Sequence, residues 1–208
     1  MIHRTALGIV LLGMSLAAQT NVSGGPLEAE QAAYDVQHYR LELSVDPQAK
    51  AIEGLLTVRA KLLQPLRVLA LDLDSPLVLR AASMGGKSLK FERKGGRIRI
   101  DLAAEHPAGS TIEVEVAYGG QPRVASNPPW EGGFTWAKTP EGMPWIATSC
   151  QGLGADAWWP CKDHPSDEPE TMDLLIRVPK PLVVASNGVL ESVEEQGESR
   201  VFHWSIKN

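Results

Sequence analysis

Cys161, Asp163, His164 and Asp167 fall within seven residues of the segment QGLGADAWWPCKDHPSDEPE, positions 151 to 170. Thiol, imidazole and carboxylate this close together are the ingredients of a metal site. Structural zinc sites, however, space their ligands as C-x₂₋₄-C or H-x₃₋₅-H, and neither spacing occurs here. With Pro160 and Pro165 stiffening the segment, the residues favour a turn whose carboxylates cap backbone N–H groups, and no metal ligand is assigned.

Nucleophilic catalysis by Cys150 or Cys161 with His164 is the second chemistry the segment suggests. A reactive cysteine needs a cation or a helix N-terminus to stabilise its thiolate, and the neighbours here are mainly acidic. His3, His38, His106 and His203 stand singly, and no G-x-S-x-G, P-loop, G-x-G-x-x-G or EF-hand loop is present. No catalytic residue is assigned. The ten residues between the two cysteines permit a disulfide without requiring one, and a pair of buried free thiols is the simpler reading.

Gln151 stands out for a different reason. It follows the apolar stretch WIATSC and precedes Gly152 and Gly154, a context that presents a side-chain amide at a strand end where backbone and ligand can approach closely. An amide oxygen is a good acceptor for a ligand ammonium, although a glutamine in a turn is most often only structural.

The elements that must position these residues read as strands. In VQHYRLELSVD, Tyr39, Leu41, Leu43 and Val45 share one face, and IEGLLTVRAKL repeats the period with Ile52, Leu56, Val58, Ala60 and Leu62. Asp46-Pro47-Gln48-Ala49-Lys50 between them carries turn chemistry and predicts a hairpin. Alternation recurs in RVLALDLD, RIRIDL, TIEVEVAY, DLLIRV and RVFHWSI, separated by Gly and Pro. The expectation is an all-β, antiparallel β-sandwich. The stretch 121–170 breaks the pattern and reads as a long loop, holding five of the six tryptophans. RVFHWSIKN reads as a strand whose outer edge awaits a following one, so the sandwich is expected to be truncated at its C-terminal end.

A net charge of −5 leaves no cationic excess to neutralise phosphates, which argues against nucleic acid as a partner. His3 and Arg4 precede an apolar run, and Ser15 and Ala17 are small residues ahead of Ala18. Residues 1–17 therefore read as a signal peptide, with an uncleaved anchor as the alternative, and imply export. Residues 18–33 read as a flexible lead, and the sandwich as 34–208.

The run GGFTWAKTPEGMPWIATSCQGLGADAWWPCKDHPSDEPETMDLLIRVPKPLVVASNG, residues 132 to 188, together with YDVQHYRLELSVDPQAKAIEGLLTVRA, residues 34 to 60, resembles the N-terminal domain of the aminopeptidase N family of zinc metallopeptidases. The resemblance implies a β-sandwich beside a thermolysin-like catalytic domain, in the same chain or a separate one, with the sandwich closing one side of the cleft. It also implies that Gln151, nine residues before Pro160, binds the α-amino group of a peptide substrate. Ser149 stands where some members carry a second pocket-lining Gln, and Asp156 where many carry an Arg. Zinc is expected in full-length members, held by H-E-x-x-H and a downstream Glu. Neither that motif nor the family's G-x-M-E-N segment occurs in these 208 residues, so no cofactor is expected on them and no peptide hydrolysis from them alone. The alternative is a stand-alone β-sandwich that binds a protein or peptide without catalysis.

Overall fold

The computed structural model describes residues 25–208; the expected signal peptide, and the lead as far as residue 24, lie outside them. The alternating segments form strands whose apolar faces meet. An eight-stranded sheet contains β1 (Tyr34–Asp46), β2 (Ala51–Leu62), β4 (Leu77–Met84), β5 (Lys87–Ser88), β8 (Thr111–Gly120), β11 (Thr171–Pro179), β12 (Val189–Gln196) and β13 (Ser199–Lys207), in the order β12-β13-β11-β1-β2-β8-β4-β5. A three-stranded sheet orders β3 (Leu66–Asp72), β7 (Arg97–His106) and β6 (Lys90–Lys94) as β3-β7-β6. The third sheet is a hairpin of β9 (Gly133–Lys138) and β10 (Pro144–Ser149).

The face written by Leu41, Leu43, Leu56 and Val58 belongs to the same buried core as Leu69, Leu71, Ile98 and Ile100 of the smaller sheet. This is the all-β sandwich expected from the period-two pattern. It departs from that expectation in three places. First, β1 pairs with β11 in parallel, Leu41 opposite Leu174 and Leu43 opposite Ile176, so the large sheet is mixed. Second, β13 is not an edge awaiting a partner. It pairs with β11 on one side and β12 on the other, because Lys180 and Pro181 begin a connection that leads to β12, an outer strand the sequence had not advertised. Third, the stretch 121–170 is not one long loop, since β9 and β10 pair from Gly133 opposite Ser149 to Lys138 opposite Pro144.

The end of the expected flexible lead is also packed. Residues Ala29–Ala32 form a short helical turn, α1, and Gln31 donates from Nε2 to Asp72 Oδ2 at 2.7 Å. Arg99 reaches Glu30 at 2.7 Å and Glu28 at 3.0 Å from β7. Among the described residues no helix is long and apolar enough to cross a membrane.

Candidate functional site

Three local decisions build the region around Gln151. The first is the hairpin. Thr139-Pro140-Glu141-Gly142 supplies a turn with Pro at its second position and Gly at its fourth, and Gly142 N donates to Thr139 O at 2.9 Å. Phe134 and Trp136 stack at 5.3 Å, oppose Thr148 and Ile146 across the strands, and pack into or against the core. Alternation then puts Trp145, Ala147 and Ser149 on the opposite face. Trp145 is half exposed and Ser149 partly so.

The second decision is the turn after β10. Cys150 O accepts bonds from Leu153 N at 3.1 Å and Gly154 N at 2.9 Å, which curls the chain and leaves Gln151 exposed at the turn. Gly154 has φ +91°, and a Cβ there would lie 2.2 Å from both carboxylate oxygens of Asp163. Only glycine satisfies both the backbone angle and that approach.

The third decision is how the WWPCKDHPSDEP segment is anchored. Trp159 is 7% exposed and meets Tyr39 edge-on at 4.7 Å and Trp158 at 6.1 Å. Tyr118 donates its hydroxyl to Trp158 O at 2.9 Å. Cys161 exchanges two backbone bonds with Asp72, at 2.7 and 3.0 Å, fastening the segment to the end of β3. Lys162 turns inward, donating from Nζ to Tyr34 O at 2.7 Å and to Asp167 at 2.6 Å, while Asp167 also accepts from Val36 N. The segment is a packed clamp on the first strand.

These contacts occupy the side chains that suggested the two chemistries. Asp167 is committed to Lys162, and His164 Nδ1 to Ser166 at 2.8 Å. Among the described residues no three His, Cys, Asp or Glu side chains are placed to hold a metal ion. The side chains gathered in this segment, committed to these partners, do not fit the family's zinc. Cys150 and Cys161 are both free. Burial and the acids Asp163, Asp156 and Asp72 push the Cys161 thiol well up, away from thiolate; burial does the same for Cys150, opposed by a hydrogen bond with the Trp158 side chain.

The sequence marked Asp156 only as a departure from the family's Arg, and the structure shows it as a buried acid beside the Gln151 turn. Asp156 sits in a 3₁₀ turn, Ala155–Ala157, 7% exposed, and its backbone O accepts from Asp74 N at 2.9 Å. Asp72 is held by Arg97 at 2.9 Å and Asp74 by Arg123 at 2.7 Å. The carboxyl of Asp156 is pushed up to about 7 by its burial, then by Asp163, Asp72 and Asp74, against the pull of Arg123. The signal in the sequence was the acid itself, standing in the small and aromatic run ADAWWP where the resemblance would place an Arg.

Comparison with known proteins agrees with the resemblance noted in the sequence. A probable aminopeptidase 1 of Saccharolobus solfataricus is 32% identical over 134 residues, which cover 64% of this chain and 16% of that one. An M1 zinc metallopeptidase from Deinococcus radiodurans, solved with a Tyr-Ser-Ala substrate bound, superposes with a TM-score of 0.71 at 26% identity, covering 84% of this chain and 39% of its own. The native yeast LTA4 hydrolase shares the fold, with a TM-score of 0.63 at 21% identity over 83% of this chain and 27% of its own. The chain thus spans well under half the length of these relatives. Residues 35–208 match the Peptidase M1 N-terminal domain family, and the chain belongs to it.

Proposed function

We propose that this domain forms one wall of the substrate cleft of a zinc aminopeptidase and that Gln151 binds the α-amino group of the peptide to be trimmed. The observation that carries this reading is the placement of Gln151. It is exposed on a turn whose foot is fixed by the Trp158-to-Lys162 anchors, two residues beyond the hairpin face that carries Ser149 and Trp145. A Gln amide oxygen supplies an acceptor for an ammonium donor without adding charge, and a rigid support lets it discriminate a free amino end from a blocked one. Ser149 is assigned to the adjoining part of the first specificity pocket. A groove of about 570 Å³ between the hairpin and the inner face of β11 is lined by Trp145, Ala147 and Ile176 and does not include Gln151. A residue that serves a cleft between two domains needs no enclosed pocket of its own.

In this reading peptide hydrolysis belongs to a thermolysin-like catalytic domain, which would supply the zinc, its activated water and the general base. The bound substrate of the Deinococcus radiodurans relative supports a peptide as the ligand. Export, to a periplasmic or extracellular location, is inferred from residues 1–17 alone. The division of labour is tested by incubating the purified 208-residue chain with an aminoacyl-anilide and added zinc. No turnover above background is expected, and clear turnover would contradict it.

A further inference from the structure

Hydrogen bonds gather four acidic residues at the foot of the turn that carries Gln151: Asp156 O accepts from Asp74 N at 2.9 Å and Asp72 Oδ2 accepts from Asp163 N at 3.2 Å, while two guanidiniums, of Arg97 and Arg123, pair with Asp72 and Asp74. Arg97 is ion-paired with Asp72, and Arg123 grips Asp74 through both of its oxygens. That leaves Asp156 and Asp163 as neighbours with no salt bridge of their own among the described residues. The Asp163 carboxylate lies directly against Gly154, in the space a Cβ would fill. Asp156 and Gly154 flank Ala155 on the same short turn, so a second negative charge on Asp156 acts on the group wedged under the Gln151 loop.

We propose that Asp156 is a positioning residue for Gln151: protonated, its buried carboxyl lets the 150–157 turn close over Asp163, and ionised, it repels Asp163 and shifts the turn, so presentation of the Gln151 amide changes with pH. Its consequence for peptide binding rests on the role given to Gln151 above; the movement itself does not. The titratable and charged groups facing Asp156 are Asp72, Asp74, Asp163 and Arg123, with the thiols of Cys150 and Cys161 close by. Burial together with three like charges places its titration near neutrality, at about 7. Two like charges brought together disfavour the second ionisation, and removing one partner lowers the other's pKa.

The test follows the side-chain amide signals of Gln151 by ¹⁵N–¹H NMR in the 208-residue chain from pH 5.5 to 8.5, assigned by their loss in Gln151→Ala. Wild type is expected to show a shift with a midpoint near 7. In Asp156→Asn the shift is abolished, and in Asp163→Asn its midpoint moves to lower pH. A flat wild-type profile, a transition that survives Asp156→Asn, or an unmoved midpoint in Asp163→Asn would overturn the proposal. Because the signal is read without substrate, it stands or falls separately from ammonium binding. With a catalytic domain present, a pH-dependent amide whose loss in Asp156→Asn leaves the pH profile of KM unchanged would count against Gln151 as the amino-group ligand instead.

Discussion

Lys162 and Asp167 meet at 2.6 Å inside the clamp segment, with side chains 5% and 2% exposed, and together they satisfy Tyr34 O and Val36 N at the start of β1. A lysine drawn inward this way ties residues more than 120 positions apart. Removing one partner leaves an uncompensated buried charge. Lys162→Met and Asp167→Asn are each expected to lower stability by about 3–5 kcal/mol. The double variant, which removes both charges, should cost less than the sum of the two. Urea denaturation of the four chains measures this cycle, and additive losses would show that the two groups do not act as a pair.

Gly154 and Asp163 make a second, steric prediction. Gly154→Ala meets a positive φ and the carboxylate at once. A loss of roughly 1–3 kcal/mol is expected from the backbone alone, with a further loss from the contact. Asp163→Ala in the Gly154→Ala background should restore the contact part and leave the backbone part. Thermal unfolding of the three variants against wild type checks the order; a Gly154→Ala chain as stable as wild type would mean that the turn is not held against Asp163.

The raised carboxyl of Asp156 ties stability to pH. Its folded value of about 7 lies above the ordinary carboxylate range of about 4. The folded state therefore holds a proton that the unfolded chain releases between those values. The stabilising contribution is complete below about pH 4 and is lost as pH rises toward 7, at up to about 1.4 kcal/mol per pH unit. Burial lowers His38, while Asp74, pushed up by burial, is lowered on balance by the hydrogen bonds and charge of Arg123 and by Ser75 N, so both contribute with the opposite sign. The comparison that isolates Asp156 is wild type against Asp156→Asn: nearly equal stability at pH 4, with the variant the more stable at pH 8. Parallel stability curves across that range would contradict the assignment.

Much of the sandwich was legible because alternation is a local signal. Leu41, Leu43, Leu56 and Val58 lie on the buried face that their spacing assigned. The parallel pairing of β1 with β11 was not legible, since it joins His38 to Thr171 across most of the chain and period two carries no information about direction. The hairpin was hidden because Thr148, paired with buried Phe134, is itself exposed and Trp145 is half exposed, so aromatic content and burial do not coincide. The clamp could be read as stiff from its prolines and tryptophans, but nothing near Lys162 announced that its ammonium turns inward to Tyr34 O. Asp156 acquires its character from burial and from Asp163, then from Asp72 and Asp74, at the end of a strand some eighty positions earlier. Gln151 was legible from its place between WIATSC and two glycines, and its expected role from the resemblance; the fold shows it exposed on a turn.

The central claim is that Gln151 receives the amino end of the substrate. The direct measurement is kcat/KM for an aminoacyl-anilide, with zinc content determined alongside, for the domain joined to its M1 catalytic domain as wild type and as Gln151→Ala. Loss of a hydrogen bond to a charged group, about 1.5–3 kcal/mol, predicts a fall of roughly 10- to 100-fold with zinc unchanged. Unchanged kinetics, or a fall accompanied by loss of zinc, would contradict the account.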